Sequence, residues 1–168
     1  MEEESPATEP LKATFNILFV CTGNTCRSPM AEAAARLQLE RRGWEHVQVA
    51  SAGIAADAGD GASVHAVRVA ASRGLPLDRH RSRRLTPALL SHADLVLGMS
   101  TSHVAAVERM GGGDKVALLG DFAAGGEGSG FPIPDPFGDD AAAYEETIAE
   151  VERLVREALD RLAPILHP

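Results

Sequence analysis

At 168 residues with 45% apolar side chains, the chain suits one domain and is long enough to close a full hydrophobic core. A formal charge of −8, from 24 acidic and 16 basic residues, argues against a nucleic-acid surface, though it leaves room for a small basic pocket. Two cysteines cannot make a disulfide framework, and the six histidines, at 46, 65, 80, 92, 103 and 167, form no compact metal-ligand motif.

Residues 1–14 are expected to be a flexible acidic tail. Glu2, Glu3 and Glu4 stand where a secretory leader would carry basic charge, and no apolar leader core follows. No apolar run reaches the roughly 18 residues a membrane span needs, so a cytoplasmic protein is expected. Asn16 to Val20 (NILFV) is apolar and β-favouring, the pattern of a strand covered on both faces. Pro29 suits the first turn of a helix, Met30, Ala33, Ala34 and Leu37 recur at helical spacing, and Gly43 marks its stop. His46 to Ala50 reads as a more exposed strand, and Gly53 to Gly61 as a loop. Val64, Val67 and Ala71 give a second helix; Thr86 and Pro87 are a cap and first residue for a third. Asp94 to Met99 and Lys115 to Leu119 read as strands, with a helix over Thr101 to Met110 between them. Gly120 to Pro134 reads as a glycine- and proline-rich loop. The last helix places Tyr144, Ile148, Val151, Val155 and Leu162 on one stripe.

Strands alternating with helices imply a single α/β domain over residues 15–168, with a four-stranded parallel sheet and helices on both faces. Such sheets bind ligands beyond the C-terminal ends of their strands. Cys21 ends the first strand, and Pro134-Asp135-Pro136 lies in a later loop.

Between them, Val20 to Ala33 (VCTGNTCRSPMAEA) has strand, short loop and helix in the order that binds anions. Successive backbone N–H groups point inward and the helix start adds partial positive charge. Gly23 allows the tight curl, and Arg27 offers a planar fork to two phosphate oxygens. A thiol in that setting is favoured as the thiolate, so Cys21 reads as a nucleophile facing a phosphoryl group. The bland account, two small buried thiols, fits most free cysteines but not a cysteine, five residues, an arginine and a serine in this context.

The stretch CTGNTCRSP resembles the signature of the low-molecular-weight protein tyrosine phosphatases. Further matches are Ser51-Ala52-Gly53, His80 in DRHRSRRL, ADLVLGM at 93–99, and Asp135-Pro136-Phe137-Gly138. The resemblance implies that family's fold and a two-step phosphoryl transfer without metal or cofactor. Cys21 attacks phosphorus, Arg27 and the loop of Thr22, Gly23, Asn24, Thr25 and Cys26 hold the oxygens, and Asp135 serves as general acid, then base. Asn24, Ser28, Ser51 and His80 match a supporting hydrogen-bond network, with Ser28 donating to the sulfur. Arg79, Arg81, Arg83 and Arg84 read as an exposed basic patch.

Within the family, Thr25 with the sequence DPFG is most similar to the bacterial protein-arginine phosphatases, in which the threonine favours a polar guanidinium over a tyrosine ring. Thr25 and Phe137 are therefore the expected specificity residues. The alternative is a protein-tyrosine phosphatase. Cys21 and Cys26 are expected to form a reversible disulfide under peroxide. Arsenate reductases of the same fold relay electrons through later cysteines, and none follows Cys26. A phosphate-binding or redox-sensing module without turnover would not need Cys21, Arg27 and Asp135 together. The expected partners are phosphorylated proteins, acted on by a monomer.

Overall fold

The computed structural model describes residues 13–166, so most of the expected acidic tail lies outside the described residues. The apolar run forms β1 (Phe15–Cys21), and the motif then opens α1 (Arg27–Arg42). Gly43 closes that helix in a left-handed conformation, φ 70°, its N–H bonded to the Glu40 carbonyl. There follow β2 (Val47–Gly53), α2 (Val64–Ala71), α3 (Pro87–His92), β3 (Leu95–Gly98), α4 (Thr101–Arg109), β4 (Val116–Leu118), α5 (Leu119–Ala124) and α6 (Ala141–Leu166). Ser63 and Thr86 cap α2 and α3 by accepting from the N–H groups of Ala66 and Leu89.

All strand pairs are parallel, in the order β2-β1-β3-β4. Strand residues alternate between two cores. Ile17, Phe19, Cys21 and Leu97 face α1, α2, α5 and α6. Leu18, Val20 and Val96 face the other way, against Leu90 of α3 and Val107 of α4. The expected four-stranded parallel sheet, covered on both faces, is the observed one. The strand order reverses between β1 and β3, and the crevice beyond their C-terminal ends is where such sheets hold ligands.

Two expectations need correction. Residues 120–134 are not all loop, because Leu119–Ala124 form α5 and β4 stops at Leu118. Leu119 and Ala123 drop into the core one helical turn apart, and that burial outweighs the low helix propensity of Gly120. β2 runs to Gly53 rather than Ala50, and its last three residues are buried because they pair with the end of β1. Among the described residues, no helix is long and apolar enough to cross a membrane.

Candidate active site

Residues 21–26 link β1 to α1, and their carbonyls point away from the space they enclose. Cys21 and Thr22 accept from the N–H groups of Ile54 and Ala55, Thr25 from Ser63, and Cys26 from Met30. The Asn24 carbonyl accepts from His80 Nε2 at 2.7 Å. Among the described residues, no N–H from Thr22 to Arg27 finds a protein acceptor. Six donors left without partners along one turn, at the start of a 16-residue helix, are a cradle-like arrangement that can hold an anion.

Asn24 holds the turn in shape. Its φ of 56° is left-handed, which asparagine tolerates better than most residues. Its fully buried amide donates to Ser28 Oγ and Ser51 Oγ, both at 2.9 Å, and accepts from the Arg83 N–H at 3.0 Å. Proton directions follow. Ser51 Oγ accepts from Asn24 and donates to Glu32 Oε1 at 2.6 Å. Ser28 Oγ also accepts from Asn24, so its own hydrogen is left for Cys21 Sγ, 2.8 Å away. Close approach of β2 also fixes the turn: a Cβ on Gly53 would lie 2.5 Å from the Thr22 carbonyl oxygen and 2.9 Å from Asn24 N.

Arg27 is 5% exposed and joins the cradle to the loop at 131–138. Its Nη1 donates to the Ile133 carbonyl at 3.0 Å, and its Nη2 lies 3.5 Å from Asp135 Oδ2. Ile133 is itself buried, and its N–H donates to the Met99 carbonyl beyond β3. Asp135 Oδ1 accepts from the Phe137 N–H at 3.1 Å, which turns the other carboxylate oxygen towards Arg27. A cavity of about 220 Å³ results, lined by Cys21, Thr22, Gly23, Thr25, Cys26, Arg27, Asp135 and Phe137. Cys21, Cys26 and Arg27 are buried and form its floor; Thr22, Asp135 and Phe137 are exposed and form its rim.

The sequence-expected residues therefore converge, with Ser51 and His80 behind the turn and Phe137 at the mouth. Arg79, Arg81, Arg83 and Arg84 are exposed as expected, but Arg83 also donates from Nε to the Ser51 carbonyl. Cys21 and Cys26 are both free thiols. Cys26 Sγ lies 3.3 Å from Ser63 Oγ and 3.5 Å from the Tyr144 hydroxyl, whose pKa is raised chiefly by burial. Among the described residues, no three His, Cys, Asp or Glu side chains are grouped to hold a metal ion.

Two contributors escaped the sequence reading. Glu32 lies one turn along α1 from Ser28, a spacing that puts both on one helix face. His103 is fully buried at the start of α4, and its Nε2 lies 2.9 Å from Thr22 Oγ1. Burial and then the Arg27 charge push its pKa down from 6.5 to about 4, against an opposing pull from Asp135. The one local signal for it was Ser100 three residues earlier, a helix-start spacing.

A family model described as low molecular weight phosphotyrosine protein phosphatase matches residues 16–164. The chain is 40% identical over 150 residues to a protein-arginine-phosphatase of Bacillus subtilis, covering 88% of this chain and 97% of that one. It is 36% identical to a low molecular weight protein-tyrosine-phosphatase of Streptomyces coelicolor, covering 83% and 88%. A solved structure of the YwlE arginine phosphatase, a mutant with a phosphorylated active-site serine, superposes with a TM-score of 0.81 at 39% identity, over 88% of this chain and 95% of that one.

Proposed function

The chain belongs to the low molecular weight phosphotyrosine protein phosphatase family, and from that premise we propose that it removes phosphate from phosphoarginine in proteins. The observation that carries the chemistry is the set of six unpartnered N–H donors and the Arg27 fork around a buried Cys21 that receives a hydroxyl hydrogen. Cys21 Sγ attacks phosphorus, the P–N bond breaks, and Asp135 gives its proton to the departing guanidinium nitrogen. The product of that step is cysteinyl-phosphate. Asp135, now ionised, takes a proton from water as the water attacks phosphorus, and the thiolate leaves with its electron pair. Arg27 and the cradle stabilise charge on the equatorial oxygens in both steps, chemistry that needs no cofactor.

The choice of phosphoarginine rests on the relative named protein-arginine-phosphatase and on the rim. Thr25 is half-buried there, with a hydroxyl to offer a guanidinium, and Asp135 supplies a carboxylate to pair with it. One observation favours the second reading, a protein-tyrosine phosphatase. Phe137 is 70% exposed at the mouth, an aromatic wall that suits a tyrosyl ring as well as a guanidinium. Steady-state kcat/KM for phosphoarginine and phosphotyrosine peptides separates the two. A preference for phosphoarginine that shifts towards phosphotyrosine in Thr25→Ile is the expected result, and a wild-type preference for phosphotyrosine selects the second reading. Cys21→Ser is expected to abolish turnover of either.

The same reading assigns residues 15–168 as the catalytic unit of a cytoplasmic monomer acting on phosphorylated proteins. It also assigns Cys26 a protective role. Peroxide converts the Cys21 thiolate to sulfenic acid, and attack by the Cys26 thiol forms the disulfide and releases water. Mass spectrometry after mild peroxide is expected to find a Cys21–Cys26 bond, whereas sulfinic acid on Cys21 without it counts against the role.

A further inference from the structure

His103 is a buried histidine that the reaction just described does not use. It lies beyond β3, across the switch point from Thr22, which lies beyond β1. Its packing leaves little slack, since a Cβ on Gly98 at the end of β3 would come within 3.2 Å of His103 Cβ.

The hydrogen bonds around the ring allow one protonation state. The Ser100 backbone N–H donates to His103 Nδ1 at 3.0 Å, so Nδ1 carries no hydrogen. The proton therefore sits on Nε2, which donates to Thr22 Oγ1 at 2.9 Å. A hydroxyl oxygen that accepts from a fixed donor loses one lone pair and its freedom to rotate. It keeps one hydrogen to donate and one lone pair to accept. Thr22 is an exposed lining residue of the cavity, with Asp135 and Phe137, above the buried floor of Cys21, Cys26 and Arg27. Phosphorus binds at the floor, so the rim is where the leaving group lies.

We propose that His103 is a positioning residue for leaving-group recognition, acting through Thr22. Held as the Nε2–H tautomer, it fixes the Thr22 hydroxyl at the rim, where the remaining lone pair meets an N–H of the substrate's guanidinium. This deepens the proposed function and rests on it for the identity of that guanidinium. Thr25, Asp135 and the fixed Thr22 hydroxyl then contact one polar leaving group, and a leaving group without hydrogen-bonding groups gains little from the pair.

The test measures kcat/KM for a phosphoarginine peptide and for p-nitrophenyl phosphate, whose leaving group needs neither protonation nor a hydrogen-bond partner. Thr22→Val, His103→Leu and the double variant are compared with wild type. Each single change is expected to lower the peptide value about tenfold, the worth of one good hydrogen bond, with a smaller loss on the aryl phosphate. The double variant is expected to be no slower than either single one, because both remove the same contact. His103→Gln, which can place an N–H near the same point, is expected to restore most of the loss. Equal losses on both substrates, or losses that multiply in the double variant, overturn the proposal. Thr22→Val alone changes an exposed, near-isosteric side chain, so an equal loss on both substrates in that variant overturns the proposal even if a His103 variant fails to fold. The wild-type ratio of phosphoarginine to phosphotyrosine turnover tests the substrate reading separately, and the coupling between positions 22 and 103 is then read on whichever peptide is turned over.

Discussion

Asn24 carries more of the site than its size suggests. It is the sole non-glycine residue with positive φ among the described residues, and its amide ties Ser28, Ser51 and the Arg83 N–H together. Asn24→Ala removes those three bonds and leaves a Cβ-bearing residue without local support in the left-handed region. The expected cost is on the order of 3 kcal/mol, measurable by urea denaturation. Ser28→Ala acts more narrowly, removing the donor to Cys21 Sγ; kcat is expected to fall about tenfold with a smaller change in KM. His103 makes the fold sensitive to acid. Its pKa of about 4 lies below the 6.5 of the unfolded chain, so the unfolded state binds the extra proton between those values. Its contribution to stability is therefore whole above pH 6.5 and is lost as pH falls to about 4, by at most about 1.4 kcal/mol per pH unit. Arg27 and Asp135 face the ring with opposite signs, and Arg27 has the larger effect. Unfolding free energies of wild type and His103→Gln, compared across that window, are expected to show a shallower slope in the variant. The residues legible from their own chemistry were local, while Ser51, His80 and Asp135 were reached through the family resemblance. Cys21, Arg27 and Ser28 lie in one loop and the helix start that follows it, whereas Asp135 between its prolines reads as a turn residue until it is paired with that loop. Glu32 and His103 meet their partners across 19 and 81 positions, so their roles depend on how α1 and α4 sit against strands paired in space.

At the scale of elements, helical spacing identified α1, α2 and α6, apolar runs gave β1 and β3, and cap or stop residues marked α3 and α4. α5 was hidden for a physical reason. Gly120 weakens a helical pattern, yet its place is fixed by backbone that crosses it from the following loop: a Cβ there would lie 2.3 Å from the Phe131 carbonyl oxygen. Backbone contact of that kind leaves no local signal. The same constraint operates where β2 meets the phosphate turn. Gly53→Ala must push the Thr22 carbonyl or the Asn24 amide aside, and displacing a cradle by about an ångström costs on the order of a hundredfold in rate. Steady-state kinetics on p-nitrophenyl phosphate, which depends on the cradle and little on the rim, is expected to show that loss.

At the scale of the whole molecule, the charge of −8 gave no hint of the proposed anion site, because that site would be built from backbone N–H groups and one buried arginine. Binding therefore has a signature in global stability. Inorganic phosphate at one hundred times its dissociation constant is expected to add about 2.7 kcal/mol, or roughly 5–10 °C in Tm for a chain of this size. Cys21→Ser is expected to keep that response and Arg27→Ala to lose most of it. The place of Arg27 also bears on timing. A guanidinium has five N–H donors, and among the described residues it meets Ile133 through Nη1 and Asp135 through Nη2. Donors remain for a phosphate while the 131–138 loop stays tethered. The acid of the proposed reaction is thus stationed before substrate arrives, and no lid has to shut between encounter and bond formation. Rapid mixing with enzyme in excess, so that each molecule turns over once, is then expected to show the leaving group released in a single phase, with diffusion and chemistry as the only clocks.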